Sequence, residues 1–281
     1  MSLNSDVLNR LPHVEGVFNY LTPMADKPRN FTYDPPPGVA QTNAAYEPHS
    51  MPVYDVRPIA YELSVDGEGI QLVEHRSAVR GFDDEEEIRQ VYYPEAERLV
   101  ASATGAHRVV VFDHTIRRRQ PGATDRAAGT PRQPVTRVHN DYTEISGPQR
   151  VRDLMGDEAE ALLKKRFAVI NVWRPIRGPL QDAPLAVCDA ASTTPEDFVA
   201  SDLVYRDRTG ETYAVKYSPR HRWLYVPDMR EDEALLLKCY DSARSGVARF
   251  APHSAFEDPT APVDKLPRES IELRTLVFYD E

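Results

Sequence analysis

The chain has 281 residues, of which 41% are hydrophobic and 28% charged, with a formal net charge of −10. Such a chain is globular rather than disordered, and long enough to bury a substantial core in one large β barrel or sandwich with added helices. The acidic balance argues against nucleic acid as the main partner, which wants a basic surface, and no segment approaches the roughly 20 apolar residues of a membrane helix, so neither is an expected partner.

The opening MSLNSDVLNRLPHVEG lacks the basic stretch and apolar core of a signal peptide, and a cytoplasmic location is expected. Residues 1–50 read as an N-terminal arm. YLTPMADKPRNFTYDPPPGV is proline-rich and aperiodic, hence extended, while Phe18, Tyr20, Phe31 and Tyr33 offer apolar surface to pack on the body. Residues 51–281 read as a single domain. YELSVDGEGIQLVEH predicts two strands around an Asp-Gly turn. DDEEEIRQVYYPEAERLVASATG predicts a helix capped by Asp83 or Asp84, closed by Gly105 and kinked or broken at Pro94. HRVVVFDHTIRR predicts a strand.

The polar, Gly/Pro-rich RRQPGATDRAAGTPRQP follows, within residues 117–135, and is either a lid over an active site or an ordinary loop. The run Arg117–Arg119 reads as solvated or acid-paired. GPQRVRDLMGDEAEALLKKR has its apolar residues on one helical face. FAVINVWRPI is a strand, and TPEDFV a short helix with Thr194 as N-cap. DLVYRDRTGETYAVKYS, HRWLYVP, EALLLKCYDS, RFAPHSAF and SIELRTLVFYD are strands. Many short strands late in the chain, with helices earlier to cover one face, predict a mainly β, distorted jelly-roll barrel. The two cysteines, Cys188 and Cys239, stand in no metal or redox spacing and are expected as buried thiols.

Candidate chemistry centres on TRVHNDYT. His139 and Asp141 are two apart and, on a strand, share a face. His253, in RFAPHSAFEDP, is placed to supply a third ligand from a late strand. Two imidazoles and a carboxylate make a facial triad for Fe(II), with positions left open for a bidentate co-substrate and dioxygen. In PRES, Arg268 and Ser270 again share a face, and a guanidinium beside a hydroxyl suits the far carboxylate of 2-oxoglutarate. Alternation puts Arg274 on the same face, so either arginine can be the clamp; Arg268 is favoured because Ser270 accompanies it. On the opposite face Ile271, Leu273 and Val277 should pack under the covering helices. In NVWRPI, Asn171 is placed to donate to a 2-oxoglutarate carboxylate, or is an ordinary strand residue, and Trp173 to wall the pocket. Tyr217 and Trp223, in YSPRHRWLY, are candidate substrate contacts or core aromatics. His114 lacks a carboxylate partner on its own face and is a weaker ligand candidate.

VHNDYT, NVWRPIRGPLQDAPLAVCD, YSPRHRWLYVPDM, EALLLKCYDS and FAPHSAFEDPTAP…PRESIELRTLVF resemble a bacterial and fungal family. It includes the cephamycin-biosynthesis hydroxylase component and fungal hydroxylase/desaturases of secondary metabolism. The resemblance runs from about residue 50 to the end of the chain. It implies a double-stranded β-helix (cupin-like) fold and Fe(II)/2-oxoglutarate-dependent oxygenase chemistry with O2, acting on a small-molecule substrate by hydroxylation, desaturation or cyclisation. It implies His139, Asp141 and His253 as iron ligands and Arg268 with Ser270 as the co-substrate clamp. Two rival classes stand beside it: a metal-dependent hydrolase or isomerase on a cupin-like barrel, which needs neither clamp nor oxygen, and a non-catalytic binding protein. The sequence sets no oligomeric state, and a homodimer is only the base-rate expectation.

Overall fold

The computed structural model describes residue 3, residues 5–123, residue 125 and residues 130–280. The chain begins with a short α1 (Ser5–Leu8), then β1 (His13–Leu21), β2 (Arg29–Phe31), β3 (Tyr46–Asp55) and β4 (Ile70–Glu74). Next come α2 (Glu85–Glu87), α3 (Tyr93–Thr104), β5 (Arg108–Arg118), β6 (His139–Asn140), α4 (Ser146–Met155) and α5 (Ala159–Leu162). The rest is mainly strand: β7 (Phe167–Pro175), β8 (Leu185–Cys188), β9 (Phe198–Val204), β10 (Thr209–Val215), β11 (Trp223–Tyr225), β12 (Glu233–Asp241), β13 (His253–Ala255) and β14 (Glu269–Phe278).

These strands form a nine-stranded sheet in the order β1-β3-β11-β8-β13-β6-β10-β9-β2 and a five-stranded sheet in the order β4-β12-β7-β14-β5. The smaller sheet is antiparallel throughout. β7 and β12 are buried along their whole length because both their faces are covered, which is why they read as near-continuous apolar runs. One face turns Trp173, Leu235 and Leu237 into a core shared with Leu185, Val187 and Leu224 of the larger sheet. The other turns Ile271, Leu273 and Val277 toward Ile88, Tyr92, Ala96 and Val100 of the helical layer, as alternation along β14 required. Two facing sheets with helices over the smaller one make the expected distorted jelly roll. Among the described residues no helix is long and apolar enough to cross a membrane.

The covering helix starts where Asp84 accepts the amides of Glu86 and Glu87, and stops at Gly105 in the left-handed region (φ 70°). The expected irregularity at Pro94 appears as a π-helical turn over Ile88–Tyr92, just before α3. Residues 147–166 are not one helix. Gly156 turns the chain at φ 52° between α4 and the short segments that follow. The two strands expected over residues 61–75 reduce to β4 alone. Ser64 captures the Asp-Gly turn instead, its carbonyl accepting the amides of Gly67, Glu68 and Gly69, which holds the chain in a compact knot. From residues 1–50, β1 pairs along its full length with β3, which runs on to Asp55. β1 then bridges back through Asn19 to Arg137 and through Leu21 to Lys216. Cys188 and Cys239 are free and buried.

Candidate active site

TRVHNDYT is a strand only at His139–Asn140, where His139 pairs with Ala214 of β10 and with His253 of β13. The register brings the two imidazoles together, with ring centroids 4.5 Å apart. Asn140 points away and donates to the carbonyls of Tyr142 (2.7 Å) and Cys239 (2.8 Å), which pins the bend that delivers Asp141. One ligand atom from each of His139, Asp141 and His253 lies within 4.8 Å of the others.

The tautomers of both histidines are set by the backbone. His139 Nδ1–H donates to the carbonyl of Arg137 (2.9 Å) and His253 Nδ1–H to that of Ala251 (3.1 Å). Each Nε2 therefore keeps its lone pair, and that of His139 lies 3.7 Å from Asp141 Oδ1. Burial, and then the neighbouring His253, depress His139 to about 3, so its imidazole is neutral near pH 7. Burial alone would raise Asp141, but the Arg274 guanidinium, both imidazoles and the Asn171 amide together hold it well below the usual carboxylate range. Its Oδ2 accepts from Asn171 Nδ2 (2.8 Å) and Arg274 Nε (3.3 Å), which leaves Oδ1 turned to the histidines. Two imidazole nitrogens and one carboxylate oxygen, each oriented by a second group, match the donor set Fe(II) prefers, and no cysteine joins the three to favour a closed zinc site.

His139 and Asp141 line one wall of a cavity of ≈ 570 Å³, with Tyr46, Tyr142, Tyr213 and Arg274. Arg268 lies in the barrel interior, 3% exposed. Its Nε donates to Ser270 Oγ (3.1 Å), its Nη1 to the carbonyl of Ala183 (2.8 Å), and its guanidinium sits 4.9 Å over the Trp173 ring. No acid among the described residues forms an ion pair with it. Arg274, the other candidate clamp, is neutralised by Asp113 (3.1 Å), Asp141 (3.3 Å) and Glu272 (3.6 Å).

Three expectations need correction. Asn171 does not offer its amide to a co-substrate carboxylate, because Nδ2 is already committed to Asp141 and to Glu272 Oε1 (2.7 Å). Trp223 is fully buried, stacked on Phe18 at 3.9 Å, and Tyr217 stacks on His49 at 3.8 Å; both belong to aromatic packing away from the cavity. Trp173 supports Arg268 from beneath rather than walling the open cavity. His114 is engaged by the hydroxyl of Tyr93 and by Glu85, apart from the triad. Of the loop weighed as a lid, Thr124 and residues 126–129 lie outside the described residues. Its described part is fastened by Gln133, which donates to the carbonyl of Arg118 (3.0 Å) and accepts from the amide of Gln120 (2.8 Å).

Sequence reasoning missed the Arg274–Asp141–Asn171–Glu272 network. The signal was the alternation of Ser270, Glu272 and Arg274 on β14 opposite Arg117, Thr115 and Asp113 on β5, which defines a polar inner face. The tyrosines of the cavity carried no such signal.

A family model described as "Oxidoreductase/YMDC permease-like domain" matches residues 18–278. The hydroxylase/desaturase efuI of Hormonema carpetanum is 34% identical over 96% of each chain. The Fe(II)/2-oxoglutarate-dependent dioxygenase nvfI of Aspergillus novofumigatus is 32% identical over 87% of this chain and 88% of its own. The solved structure of the iron and alpha-ketoglutarate-dependent endoperoxidase NvfI superimposes with a TM-score of 0.87 at 29% identity, covering 96% of this chain and 99% of that one. Two of these names state dependence on iron and 2-oxoglutarate and the third a hydroxylase/desaturase, and none lends support to the hydrolase, isomerase or non-catalytic alternatives.

Proposed function

The chain belongs to the family of Fe(II)/2-oxoglutarate-dependent dioxygenases that includes the fungal hydroxylase/desaturases, and on that premise we propose that His139, Asp141 and His253 hold its iron. Arg268, with Ser270, binds the far carboxylate of 2-oxoglutarate, and a small metabolite of secondary metabolism occupies the cavity beside the triad. The observation that carries this reading is the convergence of one ligand atom each from His139, Asp141 and His253, the first two at the cavity wall, with a buried guanidinium in the same barrel that forms no ion pair among the described residues. When bound, iron supplies the redox chemistry that couples decarboxylation of 2-oxoglutarate to oxidation of a substrate C–H bond by O2.

The chain's own groups position and protect that chemistry. The carbonyls of Arg137 and Ala251 hold the histidine protons away from the metal side. Asn171 and Arg274 fix the carboxylate, and Arg274 keeps it ionised. Trp173 gives Arg268 an apolar floor, so the guanidinium meets an anion in a poorly hydrated place, where a bidentate pair is strong. Tyr46, Tyr142 and Tyr213 present aromatic faces with polar tips to the substrate. Whether the product is a hydroxyl, an alkene or a ring follows from which C–H bonds the cavity holds nearest the triad.

The test is anaerobic titration of the purified protein with Fe(II) and then 2-oxoglutarate, followed by visible absorption. A weak band that needs both additions, is absent in His139→Ala and demands far more co-substrate in Arg268→Ala is expected. Absence of the band in fully reduced, metal-loaded protein refutes the reading.

A further inference from the structure

A second guanidinium in the barrel interior forms no ion pair among the described residues. Arg117 is the direct cross-strand partner of Ser270, so alternation turns its side chain to the inner face that Ser270 occupies, and it lines the cavity. Its Nη1 donates to the carbonyl of Gln133 (2.7 Å), and no acid among the described residues forms an ion pair with it. Its sequence neighbours behave differently. Arg118 pairs with Asp83 and Glu269, and Arg119 with Asp182 and Glu257. The carboxylates whose charge bears on Arg117 and Arg268 are already engaged, Asp125 by Arg132 (2.9 Å) and the amide of Gln133 (2.9 Å). Glu272 accepts from Asn171 and faces Arg274, while Asp182 binds Arg119 and the backbone amide of Arg268. Burial, and then repulsion from Arg117, depress Arg268 to about 9, and burial depresses Arg117 to about 10. Two unneutralised cations that repel each other in an interior are costly, and an anion arriving between them removes the cost.

We propose that Arg117 joins Arg268 and Ser270 on the far carboxylate of the co-substrate, forming a two-guanidinium clamp that selects a dicarboxylate over a simple 2-oxo acid. This rests on the assignment of Arg268 made above. The carboxylate would accept from both forks, with Ser270 between them, while the 2-oxo acid end is left to the metal side. Gln133 sets the reach of Arg117 and ties it to the loop that follows β5.

The experiment measures binding rather than turnover. Affinities of the Fe(II)-loaded protein for 2-oxoglutarate and for 2-oxopentanoate, which lacks the far carboxylate, are determined anaerobically by calorimetry in wild type, Arg117→Met, Arg117→Lys and Arg268→Met. The clamp requires that Arg117→Met weaken 2-oxoglutarate about tenfold or more while leaving 2-oxopentanoate within about twofold. Arg117→Lys, which keeps the charge but not the planar fork, should fall between Met and wild type, and serves if the Met variant does not fold. Unchanged 2-oxoglutarate affinity in the Arg117 variants, or an equal loss for both ligands, overturns the proposal. If Arg268→Met also binds 2-oxoglutarate normally, the Arg268 assignment itself fails, and that outcome is distinct from failure at Arg117 alone.

Discussion

Asn171 donates to Asp141 Oδ2 at 2.8 Å from the neighbouring sheet, and its amide also reaches Glu272 Oε1 at 2.7 Å. The bond crosses from β7 to the bend after β6, so the carboxylate is oriented by a strand that carries no ligand of its own. Asn171→Ala should leave the fold intact and lower Fe(II) affinity about 10- to 100-fold, the usual effect of removing a group that orients a ligand. Competition against a chelator of known affinity checks this. An unchanged affinity would mean that Arg274 alone orients Asp141.

On another face, Tyr20 OH accepts from Trp223 Nε1 (2.8 Å) and donates to His221 Nδ1 (3.0 Å), while His221 Nε2 lies 3.4 Å from Asp197. Trp223 and His221 are buried. Tyr20→Phe strands a donor and an acceptor and should cost about 1–3 kcal/mol in urea unfolding. 2-Oxoglutarate binding should be unaffected, because these aromatics stand apart from the cavity.

His221 also gives the fold a pH dependence with a definite sign. Burial lowers it from 6.5, so the folded state favours the neutral ring that the unfolded chain would protonate. Its contribution is complete above 6.5 and is lost as pH falls below that value, toward its lower folded value. His221→Asn should therefore be less stable than wild type at neutral pH, with the difference shrinking in acid. A difference that stays constant across pH would show that His221 is not kept neutral in the fold.

How much of this was written in the sequence depends on the range of the interaction. The fold class and the placement of Ile271, Leu273 and Val277 under the helices follow from period-two patterning, a local signal. His139, Asp141, His253, Arg268 and Ser270 were legible as short motifs of chemically apt residues. Their supports were not. That Asn171 is spent on Asp141, and that Arg274 is neutralised while Arg268 is not, depends on register between β14, β7 and β5. Tyr217 and Trp223 misled for the same reason. An aromatic on a strand reads alike whether its face looks into a cavity or, as here, onto Phe18 or His49.

Gly147, buried at the start of α4, tests how tightly α4 packs on β12. A Cβ there would stand 2.8 Å from the Tyr240 ring on β12. Gly147→Ala must move either α4 or the ring and should cost about 1–3 kcal/mol, visible as a lower denaturant midpoint at unchanged slope. A neutral result would show that Tyr240 can swing aside.

Arg274 offers the sharpest separation of stability from metal binding. It faces Asp141, Glu272 and Asp113 from 3.1 to 3.6 Å, and it is the cation that allows these carboxylates to lie together. Arg274→Met keeps most of the packing but leaves Asp141 and Glu272 in the interior without their counter-charge, at a cost of about 3–5 kcal/mol. A divalent ion at the triad restores part of that charge, so the loss should be largest in chelator and smaller in saturating Mn(II) or Fe(II). Thermal unfolding of wild type and variant, with EDTA and with metal, gives four midpoints. The expected result is a larger metal-induced rise in the variant than in wild type. Equal rises would mean that the metal and Arg274 do not share Asp141, and the triad would then have to be sought elsewhere.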